Sequence, residues 1–265
     1  MAEECKVLEK KAKELEADNV DEAISVYKKA AECYVTHDKP KNRIGCLGKA
    51  AKLIRENAKS KEDPIKALEI FKSASQVYNQ MGKEVESDKV MNEAYKKFID
   101  SAKNLRAEAK KDEDPDNAEL KFTKAADHAS RGQDIELSKA CWIDSGDQFR
   151  KKGVGIGDPR LAFEVFKHAN INYRKGGSEE LINKSLTDAA DKFNKNGNDV
   201  EKSKKDLIMA IDGYVQAATI YKAAKLDEKA NALTNKINNL IEFIGMPLEE
   251  IIKYLVSQRI TAISL

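Results

Sequence analysis

Apolar and polar positions along this chain recur with the period of an α-helix. From Glu22 to Tyr34 the stretch EAISVYKKAAECY puts Ala23, Val26, Tyr27, Ala30, Ala31 and Tyr34 three and four residues apart. That spacing stacks them on one helical stripe. The pattern returns as KALEIFKSASQVY from Lys66 to Tyr78, ELKFTKAADHA from Glu119 to Ala129, LAFEVFKHANINY from Leu161 to Tyr173 and AIDGYVQAATIY from Ala210 to Tyr221. A stripe of this width cannot be buried alone, so each repeat must cover its neighbour's.

Each repeated stretch is followed by a second helical pattern that returns against it. The expected return helices cover residues 42–57, 85–110, 134–152, 179–196 and 227–244, with a first helix over residues 2–17 ahead of them. Asp63-Pro64, Asp114-Pro115 and Asp158-Pro159 read as helix starts, aspartate accepting a backbone N–H and proline filling the first turn. Gly82, Gly132, Gly176-Gly177 and Gly197-Asn198 read as stops. No stretch carries a strand signal. The ring-bearing residues Tyr27, Phe71, Phe122, Phe166 and Tyr214 are spaced by 44, 51, 44 and 48 residues. Tetratricopeptide units repeat every ~34 residues, so these hairpins have longer helices. The expected fold is all-α, a solenoid of antiparallel tetratricopeptide-like hairpins forming one domain over residues 1–265. Hairpins occupy residues 1–245, and an apolar cap over 246–265 seals the end of the stack with Ile251, Ile252, Leu255, Val256 and Ile260.

Composition narrows the function classes. Lys+Arg 47 against Asp+Glu 45, interspersed along the chain, disfavours nucleic acid as a partner. The charged fraction of 35% and mean hydropathy of −0.61 give most helices a wet face. No apolar run approaches the ~20 residues of a membrane span, and the acidic start Met1-Ala2-Glu3-Glu4 is unlike a secretory leader, so a cytoplasmic chain is expected. Cys5, Cys33, Cys46 and Cys141 have neither metal-ligand nor redox spacing and read as small buried hydrophobes.

Catalytic groups do not converge in the sequence, and no enzyme, cofactor or metal is expected. His37, His128 and His168 have no carboxylate or cysteine at ligand spacing, and the last two read as surface residues of the repeated helix. Gly153-Val154-Gly155-Ile156-Gly157 has no preceding strand to make a phosphate cradle and reads as a flexible connection. Trp142 reads as an internal packing residue. Lys28, Lys29, Lys72, Lys124 and Lys167 follow the ring of their repeats, a regularity that either builds a basic stripe for an acidic partner or reflects lysine's ordinary place on a wet helix face.

The segments DEAISVYKKAAECY, GCLGKAAKLI and KALEIFKSASQVYNQMG resemble the soluble NSF attachment proteins, most clearly over residues 20–175. That resemblance implies a non-catalytic adaptor, monomeric and cytoplasmic, peripheral at membranes, that binds an acidic SNARE helical bundle and recruits an AAA-type disassembly ATPase. It also implies a role for the terminal Leu265 on the ATPase. The chain departs from the family in two places: Leu15–Val20 carries no aromatic where the family has a membrane-attachment loop, and Arg259–Leu265 lacks the acidic residues of the family's C-terminus. The other reading of the repeats is a tetratricopeptide-like peptide receptor or co-chaperone scaffold with a groove for a short linear segment. The adaptor reading places the core stripe and the binding face on opposite sides of the repeated helix. Ala30→Glu is therefore expected to cost several kcal/mol and Lys29→Glu no more than about 0.5 kcal/mol. Thermal melts of the two variants check this, and equal losses would show the faces to be assigned wrongly.

Overall fold

The computed structural model describes residues 2–204 and 206–257. Its described residues form helices and no strand: α1 Glu3–Leu15, α2 Val20–Thr36, α3 Pro40–Ser60, α4 Pro64–Gln80, α5 Glu84–Ala109, α6 Pro115–Arg131, α7 Ile135–Gly155, α8 Pro159–Lys175, α9 Glu179–Ser203, α10 Leu207–Ala223, α11 Asp227–Ile244 and α12 Leu248–Ser257. The fold is all-α and of the solenoid class. The chain divides into two compact units: the first holds residues up to Asn104 together with His128–Asp134, the second Leu105–Asp127 and Ile135 onward.

The five repeated stretches are the leading helices α2, α4, α6, α8 and α10, and each is 17 residues long. The return helices α3, α5, α7, α9 and α11 run to 21, 26, 21, 25 and 18 residues. The loose repeat period thus comes from the return side, and α5 accounts for most of the long step between Phe71 and Phe122. The expected caps form as the aspartates dictate. Asp63 accepts from the Ile65 N–H at 2.8 Å, and Asp158 accepts from Arg160 at 2.8 Å and Leu161 at 3.1 Å.

Every leading helix ends in the same way. The residue eleven places after the ring has a left-handed backbone: φ is 52° at Asp38, 70° at Gly82, 62° at Gln133, 72° at Gly177 and 61° at Lys225. The next residue's N–H then bonds back to the last turn, Lys39 to Tyr34 at 2.9 Å, Lys83 to Tyr78 at 3.0 Å, Asp134 to Ala129 at 2.9 Å, Ser178 to Tyr173 at 3.0 Å and Leu226 to Tyr221 at 2.9 Å. This is the Schellman closure, which satisfies orphan carbonyls and turns the chain into the return helix. Glycine takes this backbone without steric cost, and it is present at two of the five positions.

Other glycines expected to break helices lie inside them. Gly153 and Gly155 belong to α7, so the glycine-rich stretch is helical at its start and not a free connection, and α9 runs through Gly197-Asn198 to Ser203. The reason is packing. A Cβ on Gly153 would lie 2.9 Å from the Phe166 ring, one on Gly197 2.8 Å from the Tyr214 ring, and one on Gly146 2.6 Å from the Tyr173 ring. Small size, not chain reversal, is what these positions supply.

Polar groups stitch successive return helices together. Arg55 on α3 pairs with Glu93 on α5 in the first unit; in the second, Arg106 pairs with Asp144 and Arg150 with Asp188, each pair 38 residues apart in sequence. Lys97 donates to the Lys61 carbonyl at the end of α3, and Lys192 to the Ile156 carbonyl beyond α7, where the helix dipole favours a cation. Buried tyrosines donate their hydroxyls to carboxylates of the preceding helix: Tyr34 to Glu9, Tyr173 to Asp147 and Tyr221 to Asp191. In α12, Ile251 and Leu255 are buried with residues of α10, while Ile252 is 50% exposed. Ile260 lies outside the described residues.

Three expectations are corrected by the first unit. Cys5 and Cys33 are joined by a disulfide with Cα atoms 5.5 Å apart, while Cys46 and Cys141 are free and buried. The α1–α2 turn near Asn19 brings the start of one helix beside the end of the next, which pairs residues 28 apart. His37 accordingly has cysteine and carboxylate neighbours. His128 is a core residue, 3% exposed, with Nδ1 3.0 Å from the Ser101 hydroxyl and its ring edge-on to Phe98 at 5.5 Å. It sits six residues after the ring, where the other repeats carry Cys33, Val77, Asn172 and Ile220. His168 is exposed as expected and stacks on Phe149.

Two measurements follow from these contacts. Gln133→Gly is expected to stabilise the chain by about 1 kcal/mol and Gly177→Ala to destabilise it by a similar amount, since only the backbone preference changes; denaturant melts that moved both variants the same way would contradict the shared closure. The second concerns Glu93, whose carboxyl is held below its ordinary value of 4.5 by the Arg55 hydrogen bond first, then by the charges of Arg55 and Lys59, against the opposing effect of burial. A lowered folded-state value contributes stability that is fully present above the unfolded value and is lost as pH falls through the folded one. Glu93→Gln should therefore be less stable than wild type at neutral pH, with the difference shrinking below about pH 4.5, as read from melts across pH.

Candidate functional site

The surface feature common to the two units is a groove bounded by a leading helix, its return helix and the next leading helix. In the first unit α2, α3 and α4 enclose about 260 Å³, and in the second α8, α9 and α10 enclose about 390 Å³. The leading helices contribute the same positions to both. Lys28, Ala31, Glu32 and Val35 line the first groove, and Lys167, Asn170, Ile171 and Arg174 line the second, each set one, four, five and eight residues after its ring. That spacing is the helix face adjoining the buried stripe, so the groove is a by-product of how the hairpins pack.

The chemistry of the two grooves differs. The first is polar, lined by Glu32, Lys28 and Arg43 together with the amides Gln76 and Gln80. The second has an apolar floor of Phe163, Ile182 and Leu186, with Ile171 half-exposed above it. Lys167 and Arg174 bring positive charge to it and Glu179 negative charge. Lys167 Nζ lies 5.6 Å from the Phe163 ring centroid and 3.1 Å from Glu164, which anchors it at the groove wall. Glu179 is 3.6 Å from Lys225, an exposed pair of little energetic consequence. The Asn170 amide oxygen is buried and without a hydrogen-bond partner.

The sequence-derived lysines occupy two registers, not one stripe. Lys28, Lys72 and Lys167 follow their rings by one residue, Lys29 and Lys124 by two, a rotation of about 100° around the helix. Lys28 and Lys167 reach grooves. Lys72 pairs with Glu69 at 3.2 Å, the same three-residue spacing as Lys167 with Glu164. Lys29 and Lys124 are exposed. Leu265 lies outside the described residues. Trp142 is half-buried under the Lys175 ammonium, 4.1 Å from its ring centroid, an internal cation–π contact. Sequence reasoning does not find Arg174, Ile171 or Leu186; an alignment of the five repeats by their rings, read for the positions beside the core stripe, locates the first two.

A second cluster of chemical interest lies in the first unit. The Cys5 and Cys33 sulfurs and a His37 ring nitrogen fall within 4.8 Å of one another. His37 Nδ1 is 3.7 Å from Cys5 Sγ, and Nε2 is 3.5 Å from a Glu4 carboxylate oxygen.

No protein-family model and no curated protein matches the chain. Among solved structures it is similar to BtubC (BKLC) from P. vanneervenii, with 13% identity, a TM-score of 0.26, and coverage of 92% of this chain and 91% of that one. Among the described residues, no helix is long and apolar enough to cross a membrane.

Proposed function

We propose that this chain is a non-catalytic adaptor that seats an acidic, amphipathic segment of a partner protein in the groove of the second unit. The observation that carries the reading is the pairing of an apolar floor with cationic side chains in a space of about 390 Å³. That volume falls at the lower end of ligand sites, enough for one or two apolar side chains rather than a whole small protein domain. Phe163, Ile182 and Leu186 receive the apolar side of the segment, while Arg174 and Lys167 face its carboxylates. Displacing Glu164 from Lys167 is part of the binding step and makes it sensitive to salt.

The resemblance to the soluble NSF attachment proteins supplies the finer version. The segment is then one helix of an acidic helical bundle, and the adaptor presents that bundle to an AAA-type ATPase at the membrane surface. A peptide receptor for single extended segments is the version favoured by the groove's size.

The test is binding of a fluorescent acidic amphipathic helix, alone and within a coiled coil, to the full chain across a salt series. Ile171→Asp and Arg174→Glu should each weaken binding at least tenfold, and wild-type affinity should fall steeply with salt. The combined reversal Lys72→Glu, Lys124→Glu, Lys167→Glu separates the versions. A loss larger than that of Lys167→Glu alone, together with co-recovery of an AAA-type ATPase, supports the bundle adaptor; a loss equal to that of Lys167→Glu supports the single-segment receptor. Unchanged affinity in Ile171→Asp and Arg174→Glu overturns the groove.

A further inference from the structure

We infer that Cys5, Cys33 and His37 form a zinc site that exists when the Cys5–Cys33 disulfide is reduced. The three donors come from the first turn of α1, the last turn of α2 and the residue that follows α2, and the turn at Asn19 brings them together without any other element. Two thiolates and an imidazole are the donor set that borderline-soft divalent zinc prefers, and Cys₂His with an open fourth position is an established zinc arrangement.

Two further contacts favour a metal at this place once the disulfide is reduced. First, His37 Nδ1 stands 3.7 Å from Cys5 Sγ; around a tetrahedral zinc with bonds near 2.0 and 2.3 Å, nitrogen and sulfur ligands sit about 3.5 Å apart. Second, the other ring nitrogen, Nε2, faces the Glu4 carboxylate at 3.5 Å. A carboxylate on the far nitrogen is the partner that fixes the tautomer and orientation of a metal-bound histidine. Nδ1 also lies 3.0 Å from the Cys33 carbonyl and from the Thr36 hydroxyl, so binding requires Nδ1 to be free of its proton and turned from the carbonyl toward the sulfurs.

Disulfide and zinc are mutually exclusive. Two sulfurs on one zinc are about 3.8 Å apart, so the S–S bond must break first. A dithiol reductant transfers two electrons and two protons to the disulfide, giving the Cys5 and Cys33 thiols and an oxidised, disulfide form of the reductant. Zinc then binds both sulfurs and releases the two thiol protons. In a reducing compartment the thiol form prevails and the site is available; in an oxidising one the disulfide holds α1 to α2 directly. Either way α1 is clamped to the repeat it covers. Cys5 is fully buried and the His37 side chain is 23% exposed, so zinc enters from the histidine side.

The test uses the full chain, reduced with a phosphine that leaves metals free and titrated with cobalt(II) as a spectroscopic stand-in for zinc. One cobalt per chain should bind with a thiolate-to-metal charge-transfer band, zinc should displace it, and the disulfide form should bind none. His37→Ala and Glu4→Gln should each weaken cobalt binding at least tenfold, with circular dichroism showing the fold retained, while Cys46→Ser should leave it unchanged. Glu4 is 72% exposed in its side chain, so that variant tests the site without a folding risk. Failure of the reduced wild-type chain to give the band, or undiminished affinity in both His37→Ala and Glu4→Gln, would overturn the site.

Discussion

In the second unit the repeat depends on aromatic rings packed against helices that have no side chain at the point of contact. Phe166 sits on Gly153, Tyr214 on Gly197 and Tyr173 on Gly146, each with less than 3 Å between the ring and where a Cβ would stand. Alanines complete the surface: Ala162 and Ala169 flank Phe166 on α8, and Ala210 and Ala217 flank Tyr214 on α10, all fully buried. Small residues let helix axes approach, and the rings fill the remaining space with large apolar area, each worth about 1.5–3 kcal/mol on burial. A helix-breaking residue in the middle of α7 or α9 is tolerated because its cost, about 1 kcal/mol against alanine, is less than that of excluding a ring.

This constraint explains which parts of the repeat vary. The leading helix carries the rings and keeps one length and one closure, whereas the return helices differ by up to 8 residues, from 18 in α11 to 26 in α5. Variation inside the core is allowed where a partner answers it. Six residues after the ring, Val77 and Ile220 are apolar, but His128 meets Ser101 and Asn172 meets Ser145 at 3.0 Å. Ser101 and Ser145 are 44 residues apart on α5 and α7, as are His128 and Asn172 on the leading helices that follow. At these two positions the buried polar side chain thus enters the repeat together with a hydroxyl partner, although the Asn172 amide oxygen itself has none.

The helical period by itself makes the elements legible: α2 and α11 have the expected bounds, and the Asp-Pro starts cap as read. What local pattern does not reveal is long-range. Gly153 and Gly197 look like punctuation locally, and only the opposing ring marks them as contact points. Cys5 and Cys33 have no motif spacing, yet a hairpin turning near Asn19 places residues equally distant from the turn side by side. His128 reads as a surface residue because the equivalent positions of other repeats look polar or small, although its register in the repeat is a core register. Nearness to the ring groups the five lysines, but one residue of offset, about 100° of rotation, separates Lys29 and Lys124 from Lys28, Lys72 and Lys167.

That rotation also bears on where specificity can reside. Positions fixed by packing cannot distinguish partners, since a change there costs the fold. Four residues after the ring the position still belongs to the core, as at the buried Ala31, but five and eight residues after it the side chains are exposed, and there the units diverge: Glu32 and Val35 in one groove answer to Ile171 and Arg174 in the other. Lysine is shared, at Lys28 and Lys167, so it cannot be what separates the two grooves. Glu32 carries negative charge where Ile171 is apolar, and Val35 is uncharged where Arg174 is cationic. One backbone frame thus carries two groove chemistries, and the side chains that differ stand on the solvent side of the helices whose other side builds the core.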